Sequence, residues 1–410
     1  MKRTTLGRVG LSAAVVLSLT ASACGASNGS SPAGTASGAG PAASTGPSSA
    51  ATASAGGAPS ASTGPSSAAT ASAGGAPSAP AAGQPLSGSV SGAGSSAQTA
   101  AMQAWVAGFQ SSNPNVTVNY DSVGSGSGVS QFTSGGVDFA GSDKALTTAE
   151  LATGKTRCKS AALDIPTYVS PIAIVYNLPG VKDLQLAPKT SAGIFAGKIT
   201  TWNDPAIKAD NPNANLPSTK ITPVHRSDKS GTTNNFTDYL SKTAPSQWTG
   251  GATEVWPVSG GEAAKGTSGV VAAIKQGNGA IGYADDSQAG GLSKAKVKVG
   301  NTYVAPSANG AAATLADSKP VSGRPNGDLS IAINRTTAAA GAYPVLLVSY
   351  EIFCTTYSDA AKGGLVKGLL TYIVSSAGQQ AAAKSAGSAP LPSSLATQAK
   401  ASVDMIGSAG

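Results

Sequence analysis

Residues 221–224 form a short apolar run that reads as a buried strand, and it breaks into His225-Arg226-Ser227-Asp228-Lys229-Ser230-Gly231-Thr232-Thr233-Asn234-Asn235-Phe236, where a helix begins. A strand feeding directly into a helix through a Ser-Gly-Thr turn constrains the chain to an α/β plan and leaves unsatisfied backbone N–H groups at the junction. Those donors and the positive end of the helix dipole favour an anion. Arg226 adds a planar, permanently charged fork suited to tetrahedral oxyanions, and Asp228 is placed to fix its orientation. The competing reading is structural: such a junction needs a Ser or Thr cap, and Arg226 with Asp228 forms a surface ion pair.

Two more junctions of the same kind precede it. A strand-like alternation over residues 86–91 runs into Gly92-Ala93-Gly94-Ser95-Ser96-Ala97-Gln98 and then an amphipathic helix carrying Met102, Trp105, Val106 and Phe109. The turn also fits a loose G-x-G-x-x-A dinucleotide fingerprint, but the first acidic residue, Asp121, lies further on than that motif wants. The strand of residues 116–120 leads into Val123-Gly124-Ser125-Gly126-Ser127-Gly128-Val129, a glycine-serine loop ahead of a helix-like segment. Neither Ser125 nor Ser127 has the flanking glycines of a nucleophile elbow. Residues 136–143 form a short apolar strand ending on Asp143. In a site that attracts anions, a carboxylate repels a fully deprotonated ligand but accepts a hydrogen bond from one that keeps a proton, as phosphate does and sulfate does not. The plainer role for Asp143 is an N-cap for the helix that follows.

The start of the 410-residue chain constrains location rather than fold. Residues 1–23 combine Lys2, Arg3 and Arg8 with an apolar run and small residues before Cys24, as a secretory signal does. The end resembles a bacterial lipobox, with Ala21 where Leu is usual, and implies lipidation of Cys24; the alternative is a secreted protein with an incidental cysteine. Residues 24–84 are almost wholly Ala, Gly, Ser, Thr and Pro, and the segment from Ser44 repeats from Ser62, a period of about 18 residues. Nothing there can bury a core, so it reads as a flexible tether whose Ser/Thr/Pro content also suits O-glycosylation. Cys158 and Cys354 remain as an even pair in an exported protein, which predicts a disulfide, with two free thiols as the alternative. The net charge of +8 includes the leader and comes without the Lys/Arg-rich run of nucleic-acid binders.

From residue 86 onward the chain resembles the phosphate-binding proteins of bacterial phosphate ABC importers, in particular the lipoproteins of mycobacteria and related actinobacteria. The turn of residues 92–97, the loop of residues 124–128, the strand end of residues 138–143 and the Arg226-to-Thr232 loop correspond to that family's ligand loops. The resemblance implies a ligand set of Ser96 and the Ala97 N–H, Ser125, Asp143, Arg226, Ser230, the Gly231 N–H and Thr232. Ser96 stands in place of the usual Thr, and Ala97 in place of a Phe that lends its backbone. Also implied are a two-lobed, type II periplasmic-binding-protein fold with the ligand in the interlobe cleft, no cofactor or metal, and no enzymatic activity. The protein is expected to be a monomer, anchored by lipid to the outer face of the cytoplasmic membrane, that delivers phosphate to permease subunits.

On this plan residues 85–170 and 344–410 make lobe 1 and residues 171–343 make lobe 2. The long apolar strands at residues 165–177 and 344–353 are the crossovers between them. An exported phosphate or acyl ester hydrolase is the alternative, since the same loops suit a transition state, but the only histidine, His225, alternates away from Arg226 along the strand. A wall-associated adhesin accounts for the tether and leaves the four loops unexplained. A binder of molybdate or another oxyanion is disfavoured by Asp143.

Overall fold

The computed structural model describes residues 85–407, all within the compact unit Pro77–Gly410. The expected signal segment, Cys24 and the tether lie outside the described residues. Eight strands form the path of the main sheet: β1 (Gly88–Gly94), β2 (Val116–Asp121), β3 (Phe139–Ser142), β4 (Ala162–Asn177), β5 (Thr222–Arg226), β6 (Glu262–Ala264), β7 (Ala280–Asp285) and β8 (Leu346–Cys354). Their order is β2-β1-β3-β8-β4-β7-β5-β6, with the short strand Ser293–Lys294 pairing β4 off this path. At either end the sheet is parallel, β1 with β2 and β3, and β5 with β6 and β7. The middle is antiparallel, where β8 pairs β3 and β4, and β4 pairs β7.

β4 explains this arrangement. Its sequence is apolar or small nearly throughout, and every residue but the last is buried, so both faces must be covered. Residues 162–171 pair with β8 and residues 172–177 with β7, so one strand serves two half-sheets. Trp105 meets Tyr168 edge-on at 6.5 Å on one half, and Tyr176 packs against Trp202 at 6.0 Å on the other.

Each parallel half places strand ends beside helix beginnings. β1 feeds α1 (Thr99–Ser112), β2 feeds α2 (Ser125–Ser134), β3 leads to α3 (Thr148–Cys158), β5 feeds α4 (Gly231–Thr243) and β6 feeds α5 (Gly266–Gln276). One expectation shifts: the glycine-serine stretch after Gly124 is not a free loop but the first turn of α2. α3 is capped by Thr147 in a capping box with Glu150, so Asp143 is released from the capping role weighed above.

A disulfide joins Cys158 at the end of α3 to Cys354 at the end of β8, across 196 residues of sequence. A cross-link spanning so much chain removes much of the unfolded ensemble's freedom, and replacing both cysteines with serine is expected to cost about 2–5 kcal/mol of unfolding free energy. Denaturant titration of the oxidised parent against the double variant measures this.

At the junction of the halves Asp285 is fully buried; it accepts from Tyr168 Oη at 3.0 Å and from Ser287 N at 3.0 Å. Burial pushes its carboxyl up to about 7, against the hydrogen bonds it accepts. The folded state therefore holds the proton more tightly than the unfolded chain. The stabilisation this gives is complete below the ordinary carboxyl range and is lost as pH rises through about 7. That shift corresponds to ~4 kcal/mol of pH-dependent stability. Unfolding curves from acidic to neutral pH should show this slope in the parent and a flatter one in Asp285→Asn.

Candidate functional site

The candidate site lies where the starts of α1, α2, α4 and α5 face one another. Gly124 has φ of 93°, which glycine adopts readily, and a side chain there would strike Asp228 Oδ2 at 2.4 Å. Its N–H donates to Gly94 O at 2.8 Å, tying the second loop to the first. A Cβ on Gly231 would fall 2.6 Å from Ser125 Oγ and 3.0 Å from Asp143 N, so only a bare backbone allows α4 to approach α2 and β3 this closely.

Asp143 is the centre of the arrangement. It is 3% exposed, its Oδ1 accepts from Ser349 Oγ at 2.8 Å, and its Oδ2 accepts from Thr232 Oγ1 at 3.1 Å. Ser125 Oγ accepts from the Asp143 N–H at 3.1 Å. Burial pushes the carboxyl up, opposed by hydrogen bonds from Ser95, Ser349 and Thr232 and by the Arg226 charge. Each carboxylate oxygen has two lone pairs, so Asp143 retains acceptor capacity beyond these hydroxyls.

Arg226, the last residue of β5, is buried. Its Nε donates to Asp228 Oδ1 at 2.8 Å and its Nη2 to Asp228 Oδ2. Asp228 Oδ1 also accepts from Gly266 N at 3.0 Å, which links this pair to the start of α5. Burial works to raise the Asp228 carboxyl, but the Arg226 guanidinium outweighs it and holds it below the usual carboxylate range. With one edge of the fork held by Asp228, the Nη1 protons and the second Nη2 proton are the donors left for a ligand.

The remaining expected residues fall around this core. The Ser230 hydroxyl caps α4 by accepting from Thr233 N at 3.1 Å, so the structural reading of that serine holds, and its O–H proton is still available to donate. Ser96 lies within hydrogen-bond distance of Thr267 Oγ1 and accepts from Thr267 N, both at 3.1 Å, and so engages the start of α5. The Ala97 N–H donates to Ser95 Oγ at 3.1 Å. Arg226, Ser125, Gly231 and Thr232 thus gather on Asp143, while Ser96 and Ala97 border the same gap from the first loop.

Four residues here were not singled out from sequence: Ser95, Ser349, Thr267 and Gln288. Gln288 Nε2 donates to Ser96 O at 2.7 Å and Ala97 O at 2.9 Å, gripping the first loop from the far half-sheet. Ser349 had a legible signal, since it and Glu351 stand two apart on one face of an otherwise apolar strand. Glu351 is fully buried behind the first loop, accepting from Gln98 Nε2 at 2.5 Å.

An α/β chain whose half-sheets bring helix starts, one buried arginine fork and one buried carboxylate to a common gap belongs, by class, with the solute-binding proteins that take small oxyanions. Comparison with known proteins agrees. A model described as a PBP superfamily domain matches residues 42–377. The chain is 38% identical over 322 residues to the phosphate-binding protein PstS 2 of Mycobacterium tuberculosis, covering 76% of this chain and 86% of that protein. With PstS 3 of Mycobacterium leprae it shares 36% over 317 residues, covering 76% and 85%.

Among solved structures, a high affinity periplasmic phosphate-binding protein, PfluDING, bound with phosphate, superposes with a TM-score of 0.63 at 24% identity, covering 76% of this chain and 93% of that one. A phosphate-binding protein from Stenotrophomonas maltophilia gives 0.60 at 22%, covering 77% and 93%. These two likenesses concern the fold. The chain belongs to the PBP superfamily and, within it, to the PstS family of phosphate-binding proteins.

Proposed function

We propose that this chain captures inorganic phosphate outside the cytoplasm and hands it to the permease of a phosphate ABC importer. The observation that carries this reading is the buried Asp143 carboxylate in a gap otherwise furnished with donors. Arg226, the Ser125 and Ser230 hydroxyls, and the N–H groups at Gly231, Thr232 and around Ser96 and Ala97 supply hydrogen bonds to ligand oxygens, while the Thr232 hydroxyl holds Asp143. Asp143 takes the hydrogen bond from the ligand's own proton. Membership of the PstS family supports the same ligand.

In this proposal residues 85–170 with 344–410 form lobe 1 and residues 171–343 lobe 2, with the cleft between them closing on the anion as the two lobes hinge. The division of β4 between two pairing partners, at residue 171, supports that boundary. Residues 1–23 direct export, Cys24 carries the lipid, and residues 24–84 hold the binding head away from the membrane. Cells that depend on this chain should take up labelled phosphate at limiting concentration, and deleting it should abolish that uptake. Unchanged uptake would remove the delivery role. Cys24→Ala is expected to release the chain into the medium while the released protein still binds phosphate; retention at the membrane would contradict the anchor.

A further inference from the structure

We propose that Asn235 is a positioning residue for the anion site: its side-chain amide docks the first turn of α4 on the backbone of Asp143, with Arg335 fixing the amide's orientation. The inference rests on the phosphate reading above.

Asn235 lies one turn into α4 and is 5% exposed. Its Nδ2 donates to Asp143 O at 2.6 Å and to Gly231 O at 2.9 Å. Those two carbonyls belong to residues on opposite sides of the candidate site: Asp143 follows β3 in one half-sheet, and Gly231 starts the helix that follows β5 in the other. One NH2 group with both protons used therefore ties the carboxylate that reads the ligand's proton to the helix start that offers N–H groups to its oxygens. The helix itself holds Gly231 relative to Asn235, so the bond to Asp143 O is the one that crosses between elements, and the bond to Gly231 O aims the amide at it.

The other end of the amide is held as firmly. Asn235 Oδ1 accepts from Arg335 Nη2 at 2.5 Å. Arg335 is 2% exposed, and its Nη1 donates to Pro344 O at 2.9 Å and Leu346 O at 2.7 Å, at the entry to β8. Its Nε donates to Asp238 at 2.9 Å, one turn further along α4. Arginine only donates and a carbonyl only accepts, so the chemistry of its neighbours permits a single orientation of the Asn235 amide. Flipping it would set Nδ2 against a guanidinium and Oδ1 against two carbonyl oxygens. Burying a guanidinium is costly; the ion pair with Asp238 offsets part of that cost, and the remaining donors go to the Asn235 amide and two backbone carbonyls.

The test titrates the purified full chain with phosphate and with sulfate, comparing the parent, Asn235→Ala and Asn235→Asp, with the folded fraction of each anion-free protein measured by circular dichroism. Asn235→Ala is expected to weaken phosphate binding roughly tenfold or more, because the one side-chain bond from α4 to Asp143 O is lost along with the bond to Gly231 O that aims it. It should also narrow the preference for phosphate over sulfate, since a displaced Asp143 no longer meets the ligand's proton. Asn235→Asp keeps the size and can pair with Arg335, so it folds, yet it donates to neither carbonyl and should lose phosphate affinity at least as far. A purely structural role would lower the folded fraction without moving the ratio of phosphate to sulfate affinity. The inference is overturned if both variants, corrected for folded fraction, bind phosphate within about twofold of the parent or keep the parent's anion preference. Should the parent itself bind no phosphate, the ligand assignment fails first, and the experiment distinguishes that case.

Discussion

Arg226→Ala is expected to reduce phosphate binding below detection in a titration that resolves the parent easily. The guanidinium is a permanent positive charge that acts on the buried Asp143 carboxylate, and its side chain is only 2% exposed. Removing it takes away the remaining fork of donors and also strands Asp228, which is 11% exposed and would keep only backbone N–H donors, that of Gly266 among them. Breaking a buried pair by deleting one partner costs about 3–5 kcal/mol. Transferred to the bound state, that is roughly two to nearly four orders of magnitude in Kd. Arg226→Lys restores charge but not the planar fork, so it should recover part of the affinity, and anion-free circular dichroism should show that both variants fold. Wild-type-like affinity in Arg226→Ala would mean that the ligand is held elsewhere.

The second large effect is on selectivity. Asp143→Asn keeps the shape of the side chain and its contacts with the Ser349 and Thr232 hydroxyls, which can turn to accept from an amide. It replaces an acceptor aimed at the ligand's proton with a group that donates on one side. Phosphate should lose one hydrogen bond, while sulfate should no longer face an unpaired carboxylate in a buried site. Leaving a buried charge opposed by a proton-less anion costs on the order of 3 kcal/mol, so the preference for phosphate over sulfate should fall roughly a hundredfold or more. Because burial raises the Asp143 carboxyl, a protonated Asp143 should also tolerate sulfate, and the parent's selectivity should weaken as the solution is made acidic. The variant, having no proton to gain at that position, should lack this pH dependence. An unaltered preference in Asp143→Asn would place the reading of the ligand's proton on another group.

The parts of this account that were readable in the sequence are those in which chemistry is written contiguously. Arg226, Asp228 and Ser230 to Thr232 lie within one junction, so strand end, charge, hydroxyl and glycine arrive in a fixed order. Asp143 stood out because an acid at the end of an apolar strand demands a reason. The long strands were legible from unbroken apolar runs, whereas β6 was not, since Glu262–Ala264 is short, largely exposed and held by its ladder with β5 rather than by its own pattern. Ser95, Thr267 and Gln288 were invisible for a different reason: each is an ordinary polar residue whose meaning comes from a partner brought in by the fold. Ser95 and Ser96 illustrate the limit. Adjacent in sequence, they separate in space, one hydroxyl serving Asp143 and the Ala97 N–H and the other Thr267. His225 was correctly expected to turn from Arg226, and its ring stacks on Trp256 at 5.0 Å. The only imidazole in the chain therefore packs on an aromatic ring rather than on Asp143 or Ser125, which removes the support that an ester hydrolase would need.

In this reading the gap around Asp143 recognises an oxyanion that keeps a proton. Calorimetric titration of the purified chain with phosphate and then with sulfate, at mildly alkaline pH, tests it most directly. Tight one-to-one phosphate binding and no sulfate heat are expected. Comparable affinities for the two anions, or no binding of either, would contradict it.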